Sequence, residues 1–392
     1  MPVLRQDLKI ALIHDWLTNM GGAERVLCVL HELFPDAPIY TTLFEPEKLA
    51  DCLAQADVRT SFLQRLPRWL RRHQRLLPWM PFAFEQFDLS AYDLVISSSH
   101  ACAKGVLTRP EALHVCYCYT PMRYAWDMYH DYIHTLHGPK RWLAIGFLHR
   151  IRIWDYISAQ RVDRFVAISR SVAARIGKHY GAESLVLPPP VELSRFHADE
   201  PREDYYLVVS RLISYKRVDL AVEACLRLKR RLLVIGVGEE AKALKARCPE
   251  EAGIQFLGWQ SEEAVADHLA RAKAFLFPGE EDFGLTMVEA LASGCPVIAY
   301  GKGGALDILK DGETGVLFAE QSVEGLIEGI QRLEANLEAR SAFAPEYLRA
   351  EAERFDKERF KEVFLKVIEA AGAGREEKAT EISDRLQIPG KE

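Results

Sequence analysis

Two carboxylates in the second half of the chain have a spacing that suits a ligand rich in hydroxyl groups. Glu281 and Glu289 lie in PGEEDFGLTMVEALASG, with Phe283, Gly284 and Leu285 between them. The apolar run AFLF before this stretch predicts a strand, and the residues after Gly284 predict a helix with Glu289 in its early turns. Because free backbone amides at a helix N-terminus bind anions, the segment indicates an anion site accompanied by two carboxylates.

Two cations occur in an earlier connection between a predicted strand and a predicted helix. In VVSRLISYKRVDLAV, Arg211 ends the strand, Lys216 follows in the connection, and the helix begins near Arg217. An arginine fork and a lysine ammonium group together suit a diphosphate, whereas a solvated basic loop is the simpler alternative for this segment by itself. Combined with Glu281 and Glu289, the two cations predict a site for a nucleotide diphosphate that carries a sugar.

A glycine pair near the start of the chain is a further candidate. Gly21 and Gly22, in NMGGAERV, separate the first predicted strand from the first predicted helix, where the backbone can approach a phosphate closely. A tight turn alone would also need these glycines. The segment does not have the Gly-x-Gly-x-x-Gly spacing of a dinucleotide site, which argues against an oxidoreductase.

Two sets of alternating strands and helices must position these residues. The first set begins at LKIALIHDWL, the pattern breaks near residue 188 at LPPPVELSRFHADEPRED, and the second set begins at YYLVVSRL. Each set predicts a doubly wound parallel sheet with helices on both faces, so the expected fold class is α/β with two Rossmann-like domains. Ligands bind at the carboxyl ends of the strands in such sheets, and we expect loops of both domains to line one deep cleft.

Composition excludes several other classes of protein. The chain has 392 residues, 49% of them hydrophobic and 27% charged, with a net charge of −6. This length predicts two domains, and the negative charge argues against nucleic acid as a partner. No run approaches the roughly 20 apolar residues of a spanning helix, and the N-terminus does not have the layout of a secretory signal. We therefore expect a cytoplasmic protein.

The eight cysteines are scattered along the chain. Only Cys116 and Cys118 approach a metal-binding spacing, and they have no second pair. We expect reduced thiols in and near buried strands, with a zinc site as the alternative.

Several segments together resemble the retaining glycosyltransferases of family 4, which have the GT-B architecture. The resemblance is carried by SRLISYK, by the paired glutamates with FGL between them, by GCPVIAYGKGGALDIL and by DGETGVLF. It extends from about residue 8 to residue 370 and is strongest in the second half. In the first half, HVCYCYTPMRYAWDMY and SSSHACAKGV are similar to mannosyltransferase-like members that build bacterial surface polysaccharides.

The resemblance implies a role for each candidate residue. Arg211 and Lys216 would hold the donor diphosphate, and Glu281 would touch the transferred sugar, which makes these three the candidate catalytic residues. Glu289 would bind the ribose hydroxyls. The other implied donor contacts are the early glycines, the backbone stretch after Glu281 and an indole near the nucleobase: Gly21, Gly22, Phe283, Gly284, Leu285 and Trp259. The mechanism is electrostatic and requires neither a cofactor nor a metal ion.

One position departs from the family pattern. Many members have a histidine directly before the segment TPMRYAWD, and this chain has Tyr119. A phenol forms hydrogen bonds but is a poor base near neutral pH. Tyr119 would suffice if the departing phosphate oxygen takes the acceptor proton. Otherwise His100 or His14 would substitute, or these histidines have only structural hydrogen bonds.

The resemblance and the pattern together predict the domain organisation. We expect an N-terminal acceptor-binding domain, a linker, a C-terminal nucleotide-sugar-binding domain, a helix that crosses back to the first domain, and a polar tail, at residues 1–188, 189–204, 205–354, 355–371 and 372–392. The predicted crossing helix has one apolar stripe formed by Phe360, Phe364, Val367 and Ile368.

Residues 63–84, LQRLPRWLRRHQRLLPWMPFAF, combine arginines with Trp69 and Trp79. The arginines are Arg65, Arg68, Arg71, Arg72 and Arg75. Basic side chains beside amphipathic aromatics suit an anionic membrane surface, so we expect peripheral attachment to the inner face of a membrane. The alternative is a helix packed on the N-terminal domain with a solvated basic face.

The expected function is therefore transfer of a sugar, mannose from GDP-mannose as first choice, to a glycan or a lipid-diphosphate-linked glycan. A UDP-sugar is the alternative donor. A sugar-nucleotide epimerase of similar fold would need N-terminal acids and bases that we do not identify, and a non-catalytic nucleotide-sugar sensor would follow if Tyr119 marks a lost activity.

Overall fold

The computed structural model describes residues 8–338 and 343–373, which form two compact units. The N-terminal unit contains the described residues up to Pro189 and those from Phe360 onward, and the C-terminal unit contains Pro190 to Arg359. Each unit has one parallel sheet with helices, as the α/β prediction requires. Most of the predicted polar tail, from residue 374 onward, lies outside the described residues.

The sheet of the N-terminal unit has seven strands in the order β3-β2-β1-β4-β5-β6-β7. They are β1 (Ile10–His14), β2 (Ile39–Thr41), β3 (Val58–Thr60), β4 (Leu94–Ser99), β5 (Leu113–Cys118), β6 (Arg164–Ala167) and β7 (Ser184–Val186). The central strands β1, β4 and β5 are buried along nearly their whole length, as expected for a parallel sheet that is covered on both faces. All pairings are parallel, so the loops that follow β1, β4 and β5 emerge at one edge of the sheet.

Among the described residues 8–189, seven α-helices accompany this sheet. They are α1 (Gly22–Leu33), α2 (Asp51–Ala54), α3 (His73–Leu76), α4 (Met80–Glu85), α5 (Tyr129–His134), α6 (Gly138–Ala159) and α7 (Arg170–Tyr180). The start of α1 at the glycine pair, with Gly21 as N-cap, confirms a sequence prediction, and α7 ends at Gly181, which has a φ of 67°. The 22-residue α6 was not predicted.

Residues 62–85 do not form one helix. Short 3-10 turns at Phe62–Arg65, Arg68–Leu70 and Leu77–Trp79 alternate with α3 and α4. The apolar side chains that point inward, Leu63, Leu76, Met80, Ala83 and Phe84, are buried in the core of the N-terminal unit. The segment therefore packs on this unit through one side, while four of its five arginines, all except Arg71, are exposed.

The C-terminal unit contains a six-stranded parallel sheet in the order β10-β9-β8-β11-β12-β13. Its strands are β8 (Tyr206–Val209), β9 (Leu232–Ile235), β10 (Ile254–Gly258), β11 (Ala274–Phe277), β12 (Val297–Tyr300) and β13 (Gly315–Phe318). Its helices are α8 (Val218–Leu228), α9 (Ala241–Ala246), α10 (Glu262–Arg271), α11 (Leu285–Ala292), α12 (Ala305–Ile308), α13 (Val323–Glu338) and α14 (Pro345–Ala352).

The last described helix, α15 (Lys357–Ala373), begins in the C-terminal unit and continues into the N-terminal unit. Its predicted apolar stripe is buried, and the rings of Phe360 and Phe364 lie 5.6 and 6.2 Å from the ring of Tyr117 in β5. Burial of one apolar side of the helix is what the spacing predicts.

A buried ion pair joins three elements of the N-terminal unit. Lys104, after β4, contacts Asp155 of α6, and both side chains are at most 2% exposed. Asp155 also accepts hydrogen bonds from Trp126 Nε1 at 2.8 Å and the Tyr180 hydroxyl at 2.9 Å. Burial opposes the charged form of Lys104, but Asp155 outweighs it and raises the pKa of the lysine. The network fixes α6 to the loop after β4 and to α7.

The prediction that all the cysteines are reduced is wrong for one pair. Cys28 of α1 and Cys52 of α2 form a disulfide. Cys116 and Cys118 are free and buried within β5. In residues 8–338 and 343–373, no three His, Cys, Asp or Glu side chains lie close enough together to hold a metal ion. Among the same residues, no helix has the length and apolarity needed to cross a bilayer.

Candidate active site

A cation and a carboxylate from two neighbouring loops of the C-terminal unit meet. Lys216, at the end of the 3-10 turn Ser214–Lys216 after β8, contacts the carboxylate of Glu281, which lies in the loop after β11. Their side chains are 18% and 17% exposed, so solvent screens the pair only in part. The structure thus brings together two of the three predicted catalytic residues.

Arg211 lies in the same connection as Lys216 but has a different contact. Its guanidinium group is exposed and donates a hydrogen bond of 2.9 Å to the hydroxyl of Tyr215. The ammonium group of Lys216 lies 5.5 Å from the centre of the Tyr215 ring. Tyr215 therefore contacts both cations, and we did not identify it from the sequence. The sequence feature that could have indicated Tyr215 is its position directly before Lys216 in the predicted connection.

Gly284 allows the chain to turn into α11 beside Glu281. Its φ of 98° is left-handed, and a methyl group there would lie 2.6 Å from Met287 Cε and 3.0 Å from Phe277 Cζ. Glycine has no side chain to cap α11, so its first-turn amides can meet an anion. Leu285 is the first residue of this helix, and Glu289 follows one turn later with 8% of its surface exposed.

Phe283 contributes backbone rather than side chain to this region. Its ring is 3% exposed and lies 5.7 Å from the ring of Phe355. A methyl group on Gly304, in the loop after β12, would overlap the carbonyl oxygen of Phe283. The amide of Gly304 also donates to the carbonyl of Glu281 at 2.9 Å. Close backbone packing therefore holds the loop that contains Glu281 in place.

Trp259 follows directly after β10 and is 74% exposed. The preceding Gly258 has a φ of 72° and its carbonyl accepts a 2.7 Å hydrogen bond from the amide of Gly236. An exposed indole at the carboxyl edge of the sheet is suited to stacking on a base. Its contact with a nucleobase stays a prediction.

In the N-terminal unit, the carboxylate of Asp15 organises the loop after β4. Its two oxygens accept four backbone hydrogen bonds of 2.6–2.9 Å, from His100, Ala101, Cys102 and Ala103. The side chain of His100 also lies close, with Nδ1 3.1 Å from Asp15 Oδ2. Burial lowers the pKa of His100, although Asp15 opposes this effect. Sequence reasoning missed Asp15, whose signal was an acid at the end of the first buried strand.

Tyr119 and His14 belong to one hydrogen-bonded chain. His14 Nδ1 lies 3.0 Å from Ser98 Oγ, and Ser98 Oγ lies 2.8 Å from the Tyr119 hydroxyl. The Tyr119 hydroxyl also donates to the carbonyl of Ala23 at 3.0 Å. Burial raises the pKa of Tyr119 well above its ordinary value, so the phenol stays protonated and holds the start of α1.

Glu24 lies beside the predicted glycine pair. One carboxylate oxygen is 3.7 Å from His14 Nε2, and a methyl group on Gly21 would lie 2.9 Å from the other. Burial alone would raise the pKa of Glu24, but contact with His14 outweighs it and the pKa is lowered. Gly21 is the N-cap of α1 and Gly22 its first residue. Their approach to a phosphate stays a prediction, and Glu24 is a neighbour that sequence reasoning missed.

A pocket of about 540 Å³ opens in the N-terminal unit beside the segment after β2. It is lined by aromatic, acidic and basic side chains and an amide: Phe44, Glu45, Pro46, Glu47, Gln64, Arg68 and Arg71. Arg71 donates to the carbonyl of Leu66 at 2.8 Å, so it is held at the wall of the pocket. This composition suits a ligand with several hydroxyl groups.

Comparison with known proteins identifies the family. Residues 192–347 match the family described as glycosyl transferases group 1, and residues 20–195 match glycosyltransferase family 4. The chain is 32% identical over 214 residues to a D-inositol 3-phosphate glycosyltransferase of Geodermatophilus obscurus, covering 46% of this chain and 48% of that one. It is 29% identical over 237 residues to a GDP-mannose-dependent alpha-(1-6)-phosphatidylinositol monomannoside mannosyltransferase of Mycobacterium tuberculosis, covering 50% and 61%.

These alignments span about half to three-fifths of the length of the two curated relatives. A solved structure, Anabaena Alr3699/HepE in complex with UDP, matches with a TM-score of 0.69 at 16% identity, covering 93% of this chain and 100% of that one. At this identity the likeness concerns the fold, which is the two-sheet architecture described above. The chain belongs to the family 4 glycosyltransferases and has their GT-B fold.

Proposed function

We propose that the protein is a retaining hexosyltransferase that moves mannose from GDP-mannose to a glycan or lipid-linked glycan in surface polysaccharide synthesis. The observation that supports the proposal is the contact between Lys216 and Glu281, because it brings a cation suited to a phosphate next to a carboxylate suited to sugar hydroxyl groups. The GDP-mannose-dependent relative favours this donor. The UDP complex of the structural neighbour favours a UDP-sugar as the alternative.

Lys216 and Arg211 would supply most of the catalysis. When the bond between sugar and phosphate breaks, negative charge develops on the diphosphate while the sugar becomes oxocarbenium-like. Fixed cations stabilise that charge where it develops, and the first-turn amides of α11 add partial positive charge. Each charged hydrogen bond contributes about 1.5–3 kcal/mol, and about 1.36 kcal/mol corresponds to a tenfold change in rate.

The two glutamates would divide the recognition of the donor. Glu281 would accept hydrogen bonds from the transferred sugar and face its developing positive charge. Glu289 would accept from the ribose hydroxyls, and Trp259 would stack on the base. On donor binding, Lys216 would exchange its contact with Glu281 for the diphosphate, which would leave the carboxylate to the sugar.

We also propose that residues 1–188 bind the acceptor and residues 205–354 bind the donor. The pocket beside β2, with the carboxylates of Glu45 and Glu47, is a candidate for acceptor hydroxyl groups. Residues 63–84 are a candidate contact with an anionic membrane, since Arg65, Arg72 and Arg75 are exposed there. Because Tyr119 keeps its proton, the acceptor proton would pass to the departing phosphate oxygen.

A ligand screen followed by a transfer assay tests the proposal. A nucleotide sugar at 100 times its dissociation constant stabilises a protein by about 2.7 kcal/mol, so GDP-mannose is expected to raise the thermal midpoint more than UDP-sugars do. Release of GDP should then depend on an added glycan or lipid-linked glycan. The proposal fails if no nucleotide sugar shifts the midpoint, and the choice of donor is reversed if only UDP-sugars do so.

A further inference from the structure

The helix α6 presents large apolar side chains to solvent. Trp142 and Leu143 are each 75% exposed, Ile153 and Ile157 are each 49% exposed, and Tyr156 is 47% exposed. Scattered apolar residues are normal on a protein surface, but these five occur on a single helix. They define what we term the outer face of α6.

Helical geometry places these side chains on one side. At about 100° per residue, positions 142, 153, 156 and 157 share an arc, with 143 at its border. The residues of the opposite arc are buried: Leu148, Ile151, Asp155, Ser158 and Ala159. From Trp142 to Ile157 the outer face is about 22 Å long. No described segment covers it, and a helix that is apolar on both sides normally has both sides covered, so the outer face indicates a binding surface.

All the exposed charged side chains of α6 are positive. Lys140, Arg141 and Arg150 are exposed, whereas the one carboxylate of the helix, Asp155, is buried against Lys104. Arg150 lies at the border of the outer face, about 80° from Trp142, whereas Lys140 and Arg141 lie at the N-terminal end of the helix. The outer face therefore combines apolar side chains with a bordering cation and contains no carboxylate. A negatively charged partner surface that can also accept apolar groups matches this combination.

A second copy of this chain fits the outer face poorly. In a two-fold pairing, the antiparallel copies would cross near the middle of the face, at His149 and Arg150. Arg150 of one copy would then lie against Arg150 of the other, with no acidic side chain on α6 to pair with either. Like charges opposed in an interface are unfavourable, so we favour lipid over a homodimer.

Residues 62–85 of the same unit also present apolar and basic side chains to solvent. Trp154 of α6 donates to Glu85 Oε1 at 2.9 Å, which joins the helix to the end of α4. In residues 62–85, which include α4, Trp69, Trp79 and Phe82 are 70%, 60% and 52% exposed. The apolar and basic surface of residues 62–85 thus belongs to an element that contacts α6 directly.

We propose that the outer face of α6 binds the surface of an anionic lipid bilayer. Trp142, Ile153 and Ile157 insert at the boundary between headgroups and acyl chains, Arg150 at the border of the face contacts anionic headgroups, and Arg141 at the N-terminal end of the helix reaches them through its long side chain. This inference goes beyond the proposed function because it assigns a binding site to a helix outside residues 63–84. It holds whichever sugar the enzyme transfers.

Sedimentation of the full chain with vesicles tests the inference. Vesicles of phosphatidylglycerol and phosphatidylcholine are compared with vesicles of phosphatidylcholine alone, at about 0.1 M and about 1 M salt. We expect binding to the anionic vesicles that weakens at high salt. The triple variant Trp142→Ser, Ile153→Ser, Ile157→Ser should bind about tenfold more weakly or worse, because three apolar side chains no longer enter lipid.

Two further variants sharpen the test. Arg141→Glu with Arg150→Glu should weaken binding at low salt, because it reverses charge at two exposed positions. The matched control is Leu107→Ser, which removes a 48% exposed apolar side chain of the same unit outside α6 and should bind like the wild type. Circular dichroism and the thermal shift with GDP-mannose or UDP-sugars should be unchanged in all three variants.

The inference is overturned if the wild type does not bind anionic vesicles, if the triple variant binds as well as the wild type, or if neutral vesicles bind equally at both salt concentrations. It is also overturned if the wild type sediments as a dimer that the triple variant dissociates. Vesicle binding without any nucleotide-induced thermal shift would contradict the proposed function and leave this inference standing.

Discussion

The hydroxyl group of Tyr119 lies 3.0 Å from the carbonyl oxygen of Ala23, in the first turn of α1. The same hydroxyl contacts Ser98 Oγ at 2.8 Å, and burial keeps the phenol protonated. A group that donates its proton to a backbone carbonyl is not poised to take another. Tyr119 therefore fixes the turn that contains Gly21 and Gly22, which is a structural role where many family members have histidine.

Tyr119→Phe should lower the free energy of unfolding by about 1–3 kcal/mol, because Ser98 and the carbonyl of Ala23 each lose a buried partner. Transfer should slow by about tenfold as the start of α1 loosens. Urea unfolding and initial rates of transfer measure the two effects. Tyr117→Phe is the matched control, since it also removes a 3.0 Å bond to a carbonyl, that of Leu187, and should reduce stability alone. Equal rates in the two variants would contradict the positioning role.

Lys216→Ala and Glu281→Ala should each preserve the fold and reduce transfer by about 100-fold or more, because in the proposed mechanism each removes charge from the reacting bond. Lys302→Ala is a control in an adjacent loop, since Lys302 pairs with Glu280 at 3.1 Å and its side chain is 58% exposed. This control should transfer sugar at nearly the wild-type rate. Full activity of either site variant would refute its role.

Asp155→Asn should lower the free energy of unfolding by about 3–5 kcal/mol, because it leaves the charge of Lys104 buried without its partner. The replacement of both residues, Lys104→Met with Asp155→Leu, should recover part of this loss. Glu223→Gln is the exposed counterpart, since Glu223 pairs with Arg227 at 2.8 Å, and it should change stability by less than about 1 kcal/mol. A small effect of Asp155→Asn in chemical denaturation would show that the network is not needed for stability.

His114 predicts loss of stability in acid. It is fully buried in β5, Nε2 lies 2.8 Å from Ser97 Oγ, and burial lowers its pKa to about 4. The unfolded chain takes up a proton near pH 6.5 while the folded protein stays neutral, so stability falls as the pH drops from about 6.5 to about 4. The loss should approach about 3 kcal/mol. The urea midpoint of unfolding should depend less on pH across this range in His114→Gln than in the wild type. A variant with the same pH dependence as the wild type would contradict the assignment.

Sequence patterns predicted the elements whose apolar pattern is clear, such as β1, β8, β11 and α15. The three-residue strands β2, β3 and β7 carry too few residues for a period to be visible. The helix α6 was missed because it is apolar on both sides and therefore has no polar face to reveal the helical repeat. The alternative of a helix in residues 63–84 that packs on the N-terminal domain is correct about the packing but not about one continuous helix, because prolines at positions 67, 78 and 81 interrupt the segment.

In the candidate site, too, some contacts were predictable from the sequence pattern and others were not. The contact between Lys216 and Glu281 was predictable because both residues follow neighbouring strands of one parallel sheet. Asp15 also follows a strand, β1, that neighbours the strand before its partners, but these partners are backbone amides, which no residue type marks in a sequence. Glu24 matters through its contact with His14 and its crowding of Gly21, which the sequence does not show. The pairing of Cys28 with Cys52 was also unpredictable, because the spacing of scattered cysteines does not determine which two meet.

The hydrogen bonds of Asp15 also limit how early the N-terminal unit can fold during synthesis. They connect residues that are 85 to 88 positions apart, so this corner cannot assemble until β1 and β4 are paired. A nascent chain must therefore extend beyond Ala103 outside the ribosome before the loop carrying His100 acquires its shape. Until then, the carboxylate of Asp15 and the four amides that it later binds have water as their hydrogen-bond partner.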